Sequence, residues 1–100
     1  MITPKSIEEF PYSTERIRIM ASQIGKEHID LAIQRTYSVF HIKSIYISLL
    51  MIYDIINDFD DSDLKLKLSN RIRKRVFELI VDGKIDIYKR GTHNILYIKK

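Results

Sequence analysis

The chain has no cysteine, and only three glycines and two prolines among its 100 residues. The missing cysteine excludes a disulfide framework, a thiolate metal site and a cysteine nucleophile. So few glycines and prolines leave no room for a flexible linker. With 45% hydrophobic and 30% charged residues the composition is that of an ordinary globular chain, long enough for one domain with one core. Long apolar runs are also absent. The most apolar stretch, 45–56, is too short to cross a bilayer and contains Asp54, and no basic segment followed by an apolar one opens the chain. The expectation is a soluble, cytoplasmic protein.

Catalytic groupings are equally scarce. His28, His41 and His93 lie far apart and none has a ligand partner four residues on, so no metal site is expected. Gly25, Gly83 and Gly91 are isolated, which excludes a Gly-rich phosphate loop, and the serines stand in caps or on helix surfaces without a nucleophile motif. Asp58, Asp60, Asp61 and Asp63 invite a calcium reading. No Gly stands at the sixth loop position, however, and the twelfth from Asp58 is Ser69 rather than a bidentate Glu. No enzyme activity, no cofactor and no small-molecule ligand is expected.

What the chain does have is charge sorted by position. Residues 65–100 carry eleven Lys or Arg against three acids, and residues 1–64 carry six against ten, so a net +8 half follows a net −4 half. A basic half of this kind is the electrostatic footprint of a module that faces a polyanion.

Apolar spacing divides the rest. Thr3-Pro4 resembles a helix start, with Ile7 and Phe10 forming a short arm that ends before Pro11. Ser13 or Thr14 can cap a helix over Ile17, Met20, Ala21 and Ile24, closed by Gly25, and Ile29, Ala32, Ile33, Tyr37 and Phe40 continue as a second helix over 26–40. Ala21, Gly25 and Leu31 have the relative spacing of a helix-turn-helix. Glu15, Glu27 and Asp30 deny that unit the positive excess a phosphate backbone requires, so it reads as core or a dimer contact. Residues 41–59 are apolar around most of a helix, with a break from the preceding helix expected near 36–41, where β-branched and hydroxyl residues cluster. Asp61, Ser62 and Asp63 are N-cap candidates, and the alternation of 64–68 fits either a short helix or a strand.

The end of the chain is the most informative. Leu68, Ile72, Val76, Leu79 and Ile80 make an apolar stripe, Asn70, Arg71, Arg73 and Lys74 project from the other side, and Asp82-Gly83 stops the helix. Two β-prone runs, 85–88 and 95–98, follow as a hairpin joined by Lys89-Arg90-Gly91-Thr92-His93-Asn94.

On Ile72, Val76, Leu79, Gly83 and Ile85 this stretch resembles the recognition helix and wing of the winged helix-turn-helix superfamily. The resemblance implies an α+β fold, mainly helical with a C-terminal hairpin. It would comprise an N-terminal helical extension (1–40) and a winged core (41–100) with its wing at 85–98. The resemblance also implies a transcription regulator that binds double-stranded DNA, its recognition helix at about 69–82 in the major groove and its wing on the backbone or minor groove. Asn70, Arg71, Arg73 and Lys74 would then face the groove, and Lys89, Arg90, Thr92, His93 and Asn94 would form the wing tip. The chain departs from the pattern before this helix, where the family's second helix is longer than 64–68 allows.

The apolar width of 42–56 suggests a homodimer through that helix, the alternative being a monomer in which the N-terminal helices close over it. Two other function classes stay open. One is a protein–protein module acting as adaptor or inhibitor on an acidic partner. The other is a single-strand or RNA binder using Tyr88 and Tyr97, which otherwise cover the recognition helix beside Phe77. Abundant Ile and Lys with only five amides resembles small proteins of hyperthermophilic archaea and their viruses or plasmids, a bias that any AT-rich genome also produces.

Overall fold

The computed structural model describes residues 18–19, 21–92 and 94–100. The expected arm at 3–10 and the caps at Ser13 or Thr14 lie outside them, as do Met20 and His93. After a helical stretch at 18–19 and 21–23 come α1 (Lys26–Arg35), β1 (Val39–Phe40), α2 (Ile42–Ile52), a 3-10 turn (Ile56–Asp58), α3 (Ser62–Val81), β2 (Ile85–Arg90) and β3 (Ile95–Lys99). The class is α+β, with a three-stranded antiparallel sheet in the order β1-β3-β2 that ends in a C-terminal hairpin.

α3 is the longest element. Asp61 Oδ1 accepts from the Leu64 N–H at 2.9 Å and starts it, and Asp63 pairs with Lys67 one turn on at 3.4 Å. Leu64, Leu68, Ile72, Val76 and Leu79 form its buried stripe, each contributing about 1.5–3 kcal/mol by burial. The separate segment expected at 64–68 is therefore the first turns of this same helix. The alternation of Lys65 and Lys67 with leucines is a helix edge in which only Leu64 and Leu68, four apart, face inward while Leu66 is exposed. At its other end Gly83 takes φ +78, its N–H bonds to Ile80 O at 3.0 Å, and Lys84 N–H bonds to Leu79 O at 2.9 Å. This paired αL termination turns the chain straight into β2.

α2 ends by the same device without a glycine. Asp54 has φ 57, and the N–H groups of Asp54 and Ile55 bond to Met51 O and Leu50 O at 3.2 and 2.8 Å. The helix expected over 41–59 thus stops at Ile52, because Ile55 turns inward to be buried while Asp54 reverses the chain. The helix expected over 26–40 also stops early, at Arg35. Residues 36–38 break it and Phe40 becomes a buried strand residue, stacked on Tyr97 at 5.7 Å. The strand that completes the sheet thus lies ahead of residue 41, and the core runs as one cluster from Ala21 through Ile85. Ile45, Tyr46, Leu49 and Leu50 of α2 are fully buried within it. No helix among the described residues is long and apolar enough to cross a membrane.

A charged clasp joins α1 to α3. Arg75, 17% exposed, donates Nε and Nη2 to the two carboxylate oxygens of Asp30 at 2.7 and 2.9 Å and Nη1 to Glu78 at 3.0 Å, while Lys26 reaches Glu78 at 3.4 Å. Hydrogen bonding to Asp30 holds the Arg75 guanidinium above its ordinary pKa, and Arg75, with Lys26 adding, holds the Glu78 carboxyl below its own.

The αL residue of α2 yields a stability prediction. Asp54→Gly removes the Cβ penalty of a left-handed residue and should raise stability by about 0.5–1 kcal/mol, read as a higher midpoint in urea with unchanged slope. A lower midpoint would mean that the Asp54 carboxylate contributes more than its backbone costs.

Candidate nucleic-acid interface

α3 distributes its basic residues over two sides. Toward α1, Arg75 is bound in the clasp just described. Arg71 Nη1 donates to the Ala21 and Ile24 carbonyls, the latter at 3.2 Å, and so satisfies backbone acceptors at the end of the leading helical stretch. Expected at the groove face, Arg71 is instead half-buried and held by backbone. Lys74 stays exposed beyond it.

On the outer arc and toward the hairpin the picture differs. Asn70 and Arg73 are exposed, with Arg73 Nη1 3.5 Å from Asn70 Oδ1. Phe77 shares this arc and is 65% exposed, so it does not lie under Tyr88 and Tyr97 as a core neighbour. Tyr97 stacks on Phe40 instead, and Tyr88 is exposed. In the hairpin Gly91 N–H bonds to Asn94 O at 2.8 Å, an approach so close that a Cβ on Gly91 would stand 3.0 Å from that oxygen. Lys89, Arg90, Thr92 and Asn94 are all exposed around this turn.

Between the start of α2, the first half of α3 and β3 lies a groove of about 360 Å³. Lys43, Lys65 and Arg73 line it together with Ser69, Asn94 and Tyr97. Among the described residues none of the three cations has a carboxylate within 4.0 Å, whereas Lys26, Lys67, Arg75 and Lys100 are each paired. Of the residues expected at the interface, the groove brings together only Arg73 and Asn94. Lys89 and Arg90 lie on β2, opposite Leu96 and Ile95, and do not line it, and Arg71 and Lys74 turn to the other side.

Lys43, Lys65 and Ser69 were missed by sequence reasoning. The signal for Lys65 and Ser69 is the series 65, 69, 73, which shares one line along a helix as soon as 62–81 is read as continuous, whereas Lys43 on α2 has no such signal. No group of side chains among the described residues could hold a metal ion. The buried Tyr53 hydroxyl has no hydrogen-bond partner among them, and burial, with the Glu27 charge adding, pushes its pKa up.

Compared with protein families, with curated proteins and with solved structures, the chain gives no match.

Proposed function

We propose that the protein binds double-stranded DNA as a winged helix-turn-helix transcription regulator, with the outer arc of α3 in the major groove and the β2–β3 hairpin on the backbone or minor groove. The observation that carries this reading is the set of exposed cations without a carboxylate partner among the described residues, Lys65 and Arg73 on one side of α3 and Lys89 and Arg90 beside the hairpin turn, in a half of the chain with net charge +8. Phosphate neutralisation requires charge that is not already paired within the protein. The α3–Gly83–β2 turn supports it too, since the hairpin leaves the helix with only three residues between, so helix and hairpin present one surface.

On this reading Asn70 approaches base edges, and exposed Phe77 meets a thymine methyl, an apolar contact that the major groove offers. Arg71 plays no part in readout. The single-strand alternative is weakened because Tyr97 lies against Phe40 and leaves Tyr88 without a stacking partner.

We also propose a homodimer, though over a narrower face of α2 than its composition suggests. Leu50 is buried within the chain, while Met51 at 66% exposure and Tyr37 at 86% flank half-buried Ile47 and Ile52. Closed pairing of this patch with itself would cover it and set two α3 helices against two half-sites.

Three measurements test these statements. Lys89→Ala with Arg90→Ala should weaken binding to any duplex and lower the slope of log affinity against log salt by roughly one or two; an unchanged slope removes the hairpin from the interface. Arg71→Ala should lower stability by about 1–3 kcal/mol yet leave the discrimination between preferred and random sites as it is. A lost preference with unchanged stability would return Arg71 to the groove. Sedimentation equilibrium at micromolar concentration should give twice the 11.9 kDa chain mass, falling to one chain for Met51→Glu with helicity retained. A mass of one chain for the parent protein overturns the dimer.

A further inference from the structure

Two ammonium groups share one aromatic ring in the groove. Lys65 Nζ lies 5.0 Å and Lys43 Nζ 5.9 Å from the centroid of Phe59, in the turn between α2 and α3. The ring is itself fixed from the core. Tyr46, 2% exposed, tilts against it with centroids 5.7 Å apart and donates its hydroxyl to the Phe59 carbonyl at 3.0 Å.

The choice of a ring rather than a carboxylate has a consequence. A carboxylate would hold a lysine by neutralising it, whereas the quadrupole of an aromatic face attracts a cation and leaves its full charge in place. Two cations held at one ring, with no carboxylate partner among the described residues, leave a positive potential that an anion relieves. Arg73 lines the same groove without a carboxylate partner among the described residues, and Ser69 and Asn94 add neutral donors. The first turn of α2 also borders it, so backbone N–H groups at the positive end of an eleven-residue helix lie on the same side.

We infer that this groove is a seat for phosphate oxygens, and that Phe59 is the positioning residue that gathers Lys43 and Lys65 into it. The inference rests on the DNA-binding reading for its source of phosphate, which it assigns to the backbone of a bound duplex. It adds contacts from α2 and from the α2–α3 turn to those of α3 and the hairpin.

The test uses the full chain with its lysine side chains followed by NMR, alongside duplex binding measured against salt, for the parent protein, Phe59→Leu and Phe59→Tyr. In the free parent protein and in Phe59→Tyr the Lys43 and Lys65 signals should show ring-current shifts, which Phe59→Leu loses while its circular dichroism stays the same. Duplex should move these signals further. Phe59→Leu should weaken duplex binding several-fold and lower the salt slope by about one, and Phe59→Tyr should restore both. A duplex that binds with slope and lysine signals indifferent to Phe59 overturns the seat and leaves the DNA reading standing. If no duplex binds, inorganic phosphate added against equal ionic strength of chloride judges the seat alone. Movement of the Lys43 and Lys65 signals that Phe59→Leu abolishes keeps a phosphate seat with a different source, and no movement overturns it.

Discussion

Burial of one stripe along α3 is the constraint on which the other elements depend. A twenty-residue helix with Leu64, Leu68, Ile72, Val76 and Leu79 on a single face cannot be covered by one short partner. α1 and α2, of ten and eleven residues, cover it from two sides, and β2 covers its end through Ile85. Each cover is fixed by a local device. The Arg75–Asp30 pair sets α1, the αL turn at Asp54 and the inward Ile55 set the exit of α2, and Gly83 sets the angle at which β2 leaves. The arrangement gives α3 a buried stripe, half-buried flanks that include Arg71 and Arg75, and an exposed arc that carries Arg73 and Lys74, so the fate of each basic residue on it is decided by its place around the helix.

That division explains how eleven cations in residues 65–100 come to have different roles. Arg71 and Arg75 are adjacent turns of one line facing the N-terminal half of the molecule, where acidic residues and backbone carbonyls await them. Arg73 is only two residues from each, yet two steps of 100° place it on the hairpin side, without a carboxylate partner among the described residues. At Arg75 the planar fork spans both carboxylate oxygens of Asp30 through Nε and Nη2, and at Arg71 one amino group, Nη1, donates to the two carbonyls at the end of the leading helical stretch. Lysine occupies the two groove positions beside Phe59, where a compact charge held over a ring keeps all its donors. Counting charges therefore overstates the interface, and pairing decides how much of the basic half faces outward.

The parts of the fold that were legible in the sequence are those with a periodic signal or a glycine. The stripe of α3, its end at Gly83, the C-terminal hairpin and the break near 36–41 all have local causes, and the structure contains each, though the joining segment expected at 89–94 is shorter because Lys89 and Arg90 extend β2. Three features were not legible because their causes lie at a distance. β1 is two residues long and exists because β3 offers it partners, so Val39 and Phe40 carry no strand signal of their own beyond β-branching and a ring. The end of α2 depends on an aspartate accepting the left-handed region so that Ile55 can be buried, and aspartate does this far less often than glycine. The inward turn of Arg71 depends on carbonyls about fifty residues earlier, which no window on α3 contains. The candidate site was legible in the same proportion. The exposed arc of α3 and the hairpin turn follow from local pattern, but the groove is built by residues from α2, α3 and β3 and becomes visible only when these elements meet.

The sheet supplies the last link between packing and the proposed function. A two-stranded hairpin alone is marginal in water, and one projecting from a helix end would swing about its connection. Here β1 pairs with β3 from Val39 to Phe40, Lys99 N–H bonds to Ser38 O at 2.9 Å, and Lys100 N–H bonds back to Lys84 O at 3.0 Å. The Lys99 ammonium also donates to the Thr36 and Gln34 carbonyls at 2.8 and 3.3 Å, tying β3 to the end of α1. The root of the hairpin is thus held to α1 and β1, the same elements that frame α3. The register shift between Ile87 and Lys89 comes farther out, where it twists β2 and leaves its edge unsuited to pairing with another strand. An interface made of α3, the hairpin turn and the groove between them would therefore be preorganised at its base, which is what a surface needs to follow a duplex backbone while a helix keeps its register in the groove.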